Sequence, residues 1–157
     1  MSSEYNSYHG SCLCGGVQIA FTGFETPYVF CHCSSCRKAS GSAFAANVAV
    51  KEDALTVVSG EDLLSVYEST PGKHRYFCAK CGSPMFNRVD KAPGLLRVRL
   101  GCLDTPVEEK PAAHIFVAER AAWFDEFGVT PKFESWPARG AVMVAGSRQP
   151  ELDDTSR

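Results

Sequence analysis

The chain has 157 residues, and its 16 basic and 18 acidic side chains give a formal net charge of −2 at pH 7. This near-neutral balance argues against a nucleic-acid-binding protein, which would carry a basic surface. The longest apolar runs, such as 44–50, are far too short to span a membrane. Length and composition therefore predict one domain with a sizeable core, and neither nucleic acid nor a membrane as its partner.

The first nine residues contain no basic region, no apolar core and no small-residue cleavage site, so no secretory signal is visible. We therefore expect a cytoplasmic protein in a reducing compartment. Clustered cysteines in such a compartment are more often metal ligands or catalytic groups than disulfides.

Short strands dominate the predicted elements. Apolar and polar side chains alternate in 17–22 and in 95–100, where Arg97 and Arg99 would face away from the apolar residues. Further strands are predicted at 43–50, 55–59, 63–68, 74–77, 85–89 and 114–117. Gly, Pro, Asp and Ser between these segments favour antiparallel hairpins. The sequence thus predicts an all-β or β-rich fold.

Helix signals are few. The best is a short helix over 34–40, with a serine as its cap and Gly41 as its stop. The final stretch is polar and unpatterned, which is typical of a partly disordered tail. We therefore expect an N-terminal tail over 1–8, a folded domain over 9–140 and a C-terminal tail over 141–157.

Seven of the eight cysteines lie in three tight clusters, which are Cys12-x-Cys14, Cys31-x-Cys33-x-x-Cys36 and Cys78-x-x-Cys81. Zinc takes four ligands and holds each sulfur at about 2.3 Å, so thiolates one or two residues apart can bind the same ion. Four thiolates close a structural site. The remaining three would leave a fourth position open, as in catalytic zinc sites. The sequence therefore predicts two zinc ions per chain.

The spacing leaves open which clusters share an ion. In an extended segment, side chains two residues apart point to one face, which would suit Cys12 with Cys14 and Cys31 with Cys33. The first cluster could complete a four-thiolate site with either of two pairs, Cys78 and Cys81 or Cys33 and Cys36.

Several longer motifs surround these cysteines. They are Gly10-Ser-Cys-Leu-Cys-Gly-Gly-Val17, Cys31-His-Cys-Ser-Ser-Cys-Arg37 with Gly41, Phe77-Cys-Ala-Lys-Cys-Gly82, Gly101-x-Leu103-Asp104, His114-Ile115 and Trp123. In order and spacing they resemble the glutathione-dependent formaldehyde-activating enzyme family, whose domain is shared with centromere protein V. The resemblance covers about 9–137.

The resemblance implies a partition of the ligands. A structural zinc would be held by Cys12, Cys14, Cys78 and Cys81. A second, more labile zinc would be held by Cys31, Cys33 and Cys36, which would be the catalytic residues. The implied fold is the β-tent, an assembly of antiparallel sheets pinned by zinc.

The resemblance also implies a chemistry. An open zinc position could hold the sulfur of glutathione, or of a related small thiol, as thiolate beside an aldehyde carbon. The implied activity is a carbon–sulfur lyase acting on S-hydroxymethylglutathione or a related thiol adduct. The alternatives are a non-catalytic zinc-stabilised binding module, a glutathione carrier or sensor, and a redox or metal-buffering protein. The oligomeric state is left open.

Four residues near the second cluster are candidates for substrate binding. Arg37 and Lys38 could receive the carboxylates of glutathione, and Ser40 and Gly41 could offer hydroxyl and backbone donors. Equally, these residues could form a solvated turn.

The other candidates have simpler interpretations. We expect His32 to pack on the face opposite its flanking cysteines and His114 to be a wall histidine. Cys102 is interpreted as a small buried hydrophobic residue, with an extra ligand or a redox-sensitive thiol as the alternative. Core positions are expected for four aromatic residues, Phe44, Trp123, Phe124 and Trp136, although the two tryptophans could instead line a cleft.

Overall fold

The computed structural model describes residues 6–124 and residue 134. The chain divides into units 1–124 and 125–157. The predicted domain end at residue 140, the predicted tail 141–157 and Trp136 lie outside the described residues. The first strand begins at Ser7, two residues before the predicted start of the domain.

The described residues form ten strands, one α-helix and four short 3-10 helices. The strands are β1 (Ser7–Ser11), β2 (Gln18–Thr22), β3 (Val29–Cys31), β4 (Ala45–Lys51), β5 (Leu55–Ser59), β6 (Leu64–Thr70), β7 (Lys73–Cys78), β8 (Pro84–Val89), β9 (Leu95–Arg99) and β10 (Ala113–Ile115). The helix α1 covers Ser34–Ser40, and the 3-10 helices cover Glu52–Ala54, Glu61–Leu63, Leu100–Cys102 and Val117–Glu119.

These strands form two sheets. The smaller has the order β1-β2-β5, and the larger has the order β10-β3-β4-β9-β8-β7-β6. Neighbouring strands are antiparallel except for β10 and β3, which run parallel. The predicted β-rich fold is confirmed. Within the described residues, no helix is long and apolar enough to cross a membrane.

One hydrophobic core joins the two sheets. Ile19 and Phe21 of β2 are buried while Gln18 and Thr22 are exposed, which is the predicted alternation. These side chains share the core with residues of the larger sheet, including Val48, Val50, Phe86, Leu96 and Val98. Each fully buried side chain of this size contributes about 1.5–3 kcal/mol of transfer free energy.

The opposite face of the larger sheet is also covered. Arg97 and Arg99 face away from Leu96 and Val98, as predicted, because side chains alternate along β9. Yet only 5% of Arg99 is exposed. This face carries the second cysteine cluster, because Cys31 pairs with Ala45 and packs against it.

The predicted helix has the bounds seen in the structure, but its cap was wrong. The N-cap is Cys33 and not a serine, since the Cys33 sulfur accepts a hydrogen bond from the Cys36 N–H. Gly41 ends the helix with a φ of 61°, a left-handed conformation that favours glycine. The last predicted strand ends at Ile115, because Phe116 also adopts a positive φ.

Candidate metal centres

Four cysteines form what we call the first centre: Cys12, Cys14, Cys78 and Cys81. Their sulfurs all lie within 4.8 Å of one another. The Cys14 sulfur lies 3.4 Å from that of Cys12 and 3.8 Å from that of Cys78. A tetrahedral ion with zinc–sulfur bonds of about 2.3 Å holds its sulfurs about 3.8 Å apart, so the donor set fits zinc.

Two turns bring these cysteines together. Cys12 and Cys14 lie in a turn after β1, closed by a hydrogen bond from the Gly15 N–H to the Cys12 carbonyl. The predicted extended conformation of this pair was therefore wrong. Cys78 ends β7 and Cys81 lies in the turn before β8, where Gly82 has a φ of 77°. Of the two partitions left open by the spacing, the structure has the one with Cys78 and Cys81.

Ser83 stabilises this arrangement. Its hydroxyl oxygen accepts a hydrogen bond from the Leu13 N–H and lies 3.2 Å from the Cys81 sulfur. Hydrogen bonds from the hydroxyl and backbone N–H of Ser83 lower the pKa of Cys81 to about 5. One sulfur of the first centre is therefore a thiolate at neutral pH.

Neighbouring sulfurs oppose each other's ionisation. The Gly16 backbone N–H acts to lower the pKa of Cys14. The Cys12 thiol and its neighbours have the larger opposite effect, so the pKa of Cys14 is raised to about 11. Each negative charge makes the next thiolate less favourable at such short distances. A divalent cation among the four sulfurs would remove this repulsion, as expected for a metal site.

Cys31, Cys33 and Cys36 form what we call the second centre. Their sulfurs also lie within 4.8 Å of one another, and those of Cys31 and Cys33 are 3.6 Å apart. Cys31 ends β3, Cys33 caps α1 and Cys36 lies within α1. A strand end and the first turn of a helix thus present three sulfurs, which leaves one position of a tetrahedral ion free.

The sulfurs of the second centre differ in ionisation. Burial, together with the thiols of Cys36 and Cys33, raises the pKa of Cys31 to about 12. Burial also acts to raise the pKa of Cys33, but the Cys36 backbone N–H and the Lys73 ammonium are among the groups that lower it overall. Cys33 is therefore the more easily ionised of the two, and Cys31 must lose a proton to bind a metal.

Two histidines contact each other beside the second centre. His32 is fully buried, and its Nε2 lies 2.8 Å from Nδ1 of His114. The two rings stack with centroids 5.1 Å apart. His32 N–H also donates to the Ile115 carbonyl, which extends the parallel pairing of β3 and β10. The packing role predicted for His32 is confirmed, and His114 is its exposed partner.

The four candidate substrate-binding residues have different surroundings. Nε of Arg37 donates to the His32 carbonyl, and Lys38 is exposed. The Ser40 hydroxyl accepts a hydrogen bond from Nη1 of Arg99, and Gly41 is the exposed C-cap of α1. Their contacts with a substrate stay predictions.

Cys102 and Trp123 differ in burial. Cys102 is buried, and its thiol donates to the Arg99 carbonyl at 3.0 Å. Burial raises its pKa to about 12, which confirms the interpretation as a small buried residue. The core position predicted for Trp123 was wrong, since 71% of this residue is exposed. None of the eight cysteines forms a disulfide.

A cleft of about 680 Å³ is lined by Cys12 of the first centre and by Ser83. Its lining also includes Ser40, at the end of α1, and Ala45, which packs against the second centre. This volume falls within the roughly 300–1,000 Å³ typical of small-molecule sites.

One family model and several known proteins match this chain. Residues 7–119 match the family model described as glutathione-dependent formaldehyde-activating enzyme. A Halomonas elongata protein with this provisional name is 31% identical over 126 residues, which cover 74% of this chain and 78% of the relative. A Penicillium rubens protein with the same provisional name is 27% identical, over 91% of this chain and 65% of its own length.

Two further similarities are more distant. An uncharacterized lyase of Schizosaccharomyces pombe is 29% identical over 79 residues, half of this chain and 56% of the relative. A crystal structure of a Rhodobacter sphaeroides protein shares the fold, with a TM-score of 0.55 and 24% identity over 64% of this chain and 91% of its own. The chain belongs to the glutathione-dependent formaldehyde-activating enzyme family.

Proposed function

We propose that this protein is a zinc-dependent carbon–sulfur lyase that forms and cleaves S-hydroxymethylglutathione or a closely related thiol adduct. The observation that carries the proposal is the three-sulfur second centre, which offers an ion three ligands within the described part of the chain. A purely structural site closes with four ligands, as the first centre does. Family membership supports glutathione as the thiol.

The chain's own residues would hold and position the reacting groups. Cys31, Cys33 and Cys36 would bind the second zinc, and the first centre would bind a structural one. A zinc ion at the second centre would supply positive charge that holds a thiol at its free position as thiolate. The stacked His32 and His114 fix the loop between β3 and α1, which carries Cys33.

The reaction balances without a redox partner. In the forward direction, the thiolate sulfur attacks the aldehyde carbon. A carbon–sulfur bond forms, the carbonyl π bond breaks and its oxygen takes up a proton. In the reverse reaction the hydroxyl loses this proton to solvent, the carbonyl π bond re-forms, and the carbon–sulfur bond breaks to release aldehyde and thiolate. The rate gain would come from the lowered pKa of the thiol and its orientation towards the aldehyde.

Exchange spectroscopy tests this proposal directly, because the thiol adds to formaldehyde even without a catalyst. The exchange rate between ¹³C-formaldehyde and its glutathione adduct would be measured with and without the zinc-loaded protein. We expect acceleration by the wild type and none by Cys33→Ser. His9→Ala should behave as the wild type, since His9 is exposed on β1, in the smaller sheet. Saturable glutathione binding without acceleration would contradict the lyase and favour a glutathione carrier.

A further inference from the structure

Arg99 is a charged residue in an unusual position. It lies at the end of β9, lines the 680 Å³ cleft and is only 5% exposed. Nη1 donates to the Ser40 hydroxyl, whereas the buried Nε has no hydrogen-bond partner among residues 6–124. In this part of the chain, no carboxylate forms an ion pair with Arg99.

The same face carries more positive charge. Arg97 pairs with Asn87 and Asn87 pairs with Arg75, so these side chains lie on the face that carries Arg99. Only 8% of Arg75 is exposed, and its Nη1 and Nη2 meet no hydrogen-bond partner within the described structure. Arg75 Nε donates to the Ser69 hydroxyl. Because the remaining buried guanidinium nitrogens have no acceptor in the described part of the chain, which is unfavourable, this face favours an anion.

This charge lies beside the second centre. Arg99 pairs with Asn47 on β4, and Cys31 pairs with Ala45 two residues away on the same strand face. Arg99 is close enough to Cys36 and Cys31 for charge–charge interaction. The strands β3 and β9 are separated by two strand spacings, about 10 Å. An extended tripeptide has a similar length, at about 3.5 Å per residue.

The opposite charge in the cleft comes from Asp104. This exposed residue lines the same cleft and, like Arg99, interacts electrostatically with Cys102. Among the described residues, Arg99 and Asp104 form no ion pair with each other. The cleft thus presents one cation and one anion that have no ion-pair partner among the described residues.

We propose that this cleft binds the charged backbone of the thiol substrate, with Arg99 binding a carboxylate and Asp104 an ammonium group. Glutathione carries two carboxylates and one ammonium, so its charges complement the cleft. The inference rests on the proposed function for the identity of the thiol and adds its class: thiols that carry an amino-acid group. Neutral thiols lack the groups that Arg99 and Asp104 would recognise.

The test uses S-methylglutathione, which keeps both carboxylates and the ammonium but has no thiol to ionise. Its affinity for the zinc-loaded protein would be measured by calorimetry for the wild type, Arg99→Met and Asp104→Asn. We expect each substitution to weaken binding tenfold or more. Arg88→Met is the matched control. Arg88 lies opposite Leu96 in the strand register, so its side chain is on the other face of the sheet, and it forms an ion pair with Asp90. It should bind as the wild type does.

A second experiment compares the affinities of glutathione and its diethyl ester, in which both carboxylates are blocked. The wild-type protein is enough for this comparison if Arg99→Met fails to fold. The wild type should bind glutathione at least tenfold more tightly than the ester, and Arg99→Met should lose this preference. Equal affinity of the wild type for both, or unchanged S-methylglutathione binding in the variants, would overturn the assignment. Loss of S-methylglutathione binding in both variants without any catalysed exchange by the wild type would refute the lyase and leave the cleft assignment standing.

Discussion

At the scale of single residues, Cys33 has two roles. Its sulfur belongs to the second centre, and the same sulfur accepts the hydrogen bond that caps α1. A serine oxygen can replace a sulfur as a helix cap but is a poor zinc ligand in its place. The two roles can therefore be separated by substitution.

For Cys33→Ser, we expect the protein to lose one zinc ion per chain while its melting temperature changes by no more than about 2 °C, less than 1 kcal/mol. Cys33→Ala removes the cap as well and should cost about 1 kcal/mol more. Metal analysis and calorimetric melting would measure both effects. Unfolding of Cys33→Ser, with Cys81→Ser still folded, would invert the roles assigned to the two centres.

The raised pKa of Cys31 predicts how zinc affinity at the second centre depends on pH. Its pKa is raised to about 12, so the metal-free thiol stays protonated between pH 6 and 8 and must release this proton to bind zinc. Zinc affinity at the second centre should therefore rise at least about tenfold per pH unit and fall as the pH is lowered. Competition with a chromogenic chelator at pH 6, 7 and 8 would measure this slope. A pH-independent affinity would be inconsistent with a protonated Cys31.

At the scale of secondary-structure elements, β10 lies at the edge of the larger sheet and, among the described strands, pairs with β3 alone. The 2.8 Å hydrogen bond between His32 and His114 reinforces this three-residue parallel pairing. Since His32 is fully buried, the loss of this bond should cost about 1–3 kcal/mol.

We therefore expect His114→Ala to lower the free energy of unfolding by this amount and to weaken zinc retention at the second centre. Denaturant unfolding and metal analysis would report the two effects. His9→Ala is the matched control, because His9 is exposed and its side chain lies on β1, in the other sheet. Equal stability of the two variants would show that the histidine pair contributes nothing.

The predicted elements show what a pattern of side chains can establish. Strands such as β2 and β9 were predicted because one face packs on the core and the other does not. The strands β1 and β3 were not predicted, since Ser7–Ser11 mixes polar residues with glycine and Val29–Cys31 is too short to show alternation. Their pairing partners come from elsewhere in the chain, which a local pattern does not contain.

The residues of the candidate site were predictable from local patterns only in part. Cysteine spacing predicted the ligands, but the spacing alone could not choose between two partitions, because the choice depends on which turns meet. Alternation in β9 placed Arg99 away from the core. It could not predict that this second face is also covered, so the buried Arg75 and Arg99 were missed as candidate binding residues.

At the scale of the whole molecule, the first centre joins the two sheets. Cys12 and Cys14 follow β1 of the smaller sheet, whereas Cys78 and Cys81 belong to the β7–β8 turn of the larger one. A metal ion shared by these four sulfurs would contribute directly to the free energy of folding. The second centre makes no such connection, since β3 and α1 are neighbours in sequence.

Cys81→Ser should therefore destabilise the entire domain. We expect the melting temperature to fall by about 10 °C or more, which corresponds to several kcal/mol at about 2–4 °C per kcal/mol. Far-UV circular dichroism on heating would measure the change, with Cys102→Ser as a control at a buried cysteine outside both centres. A small shift, similar to that of the control, would mean that the first centre is not structural.

The most direct test of the account is a calorimetric titration of reduced glutathione into protein whose zinc content per chain is known. The wild type should contain two zinc ions and bind about one equivalent of glutathione, and Cys33→Ser should contain one ion and bind glutathione much more weakly. If the wild type held two zinc ions and showed no saturable binding at millimolar glutathione, the role assigned to the second centre would be wrong.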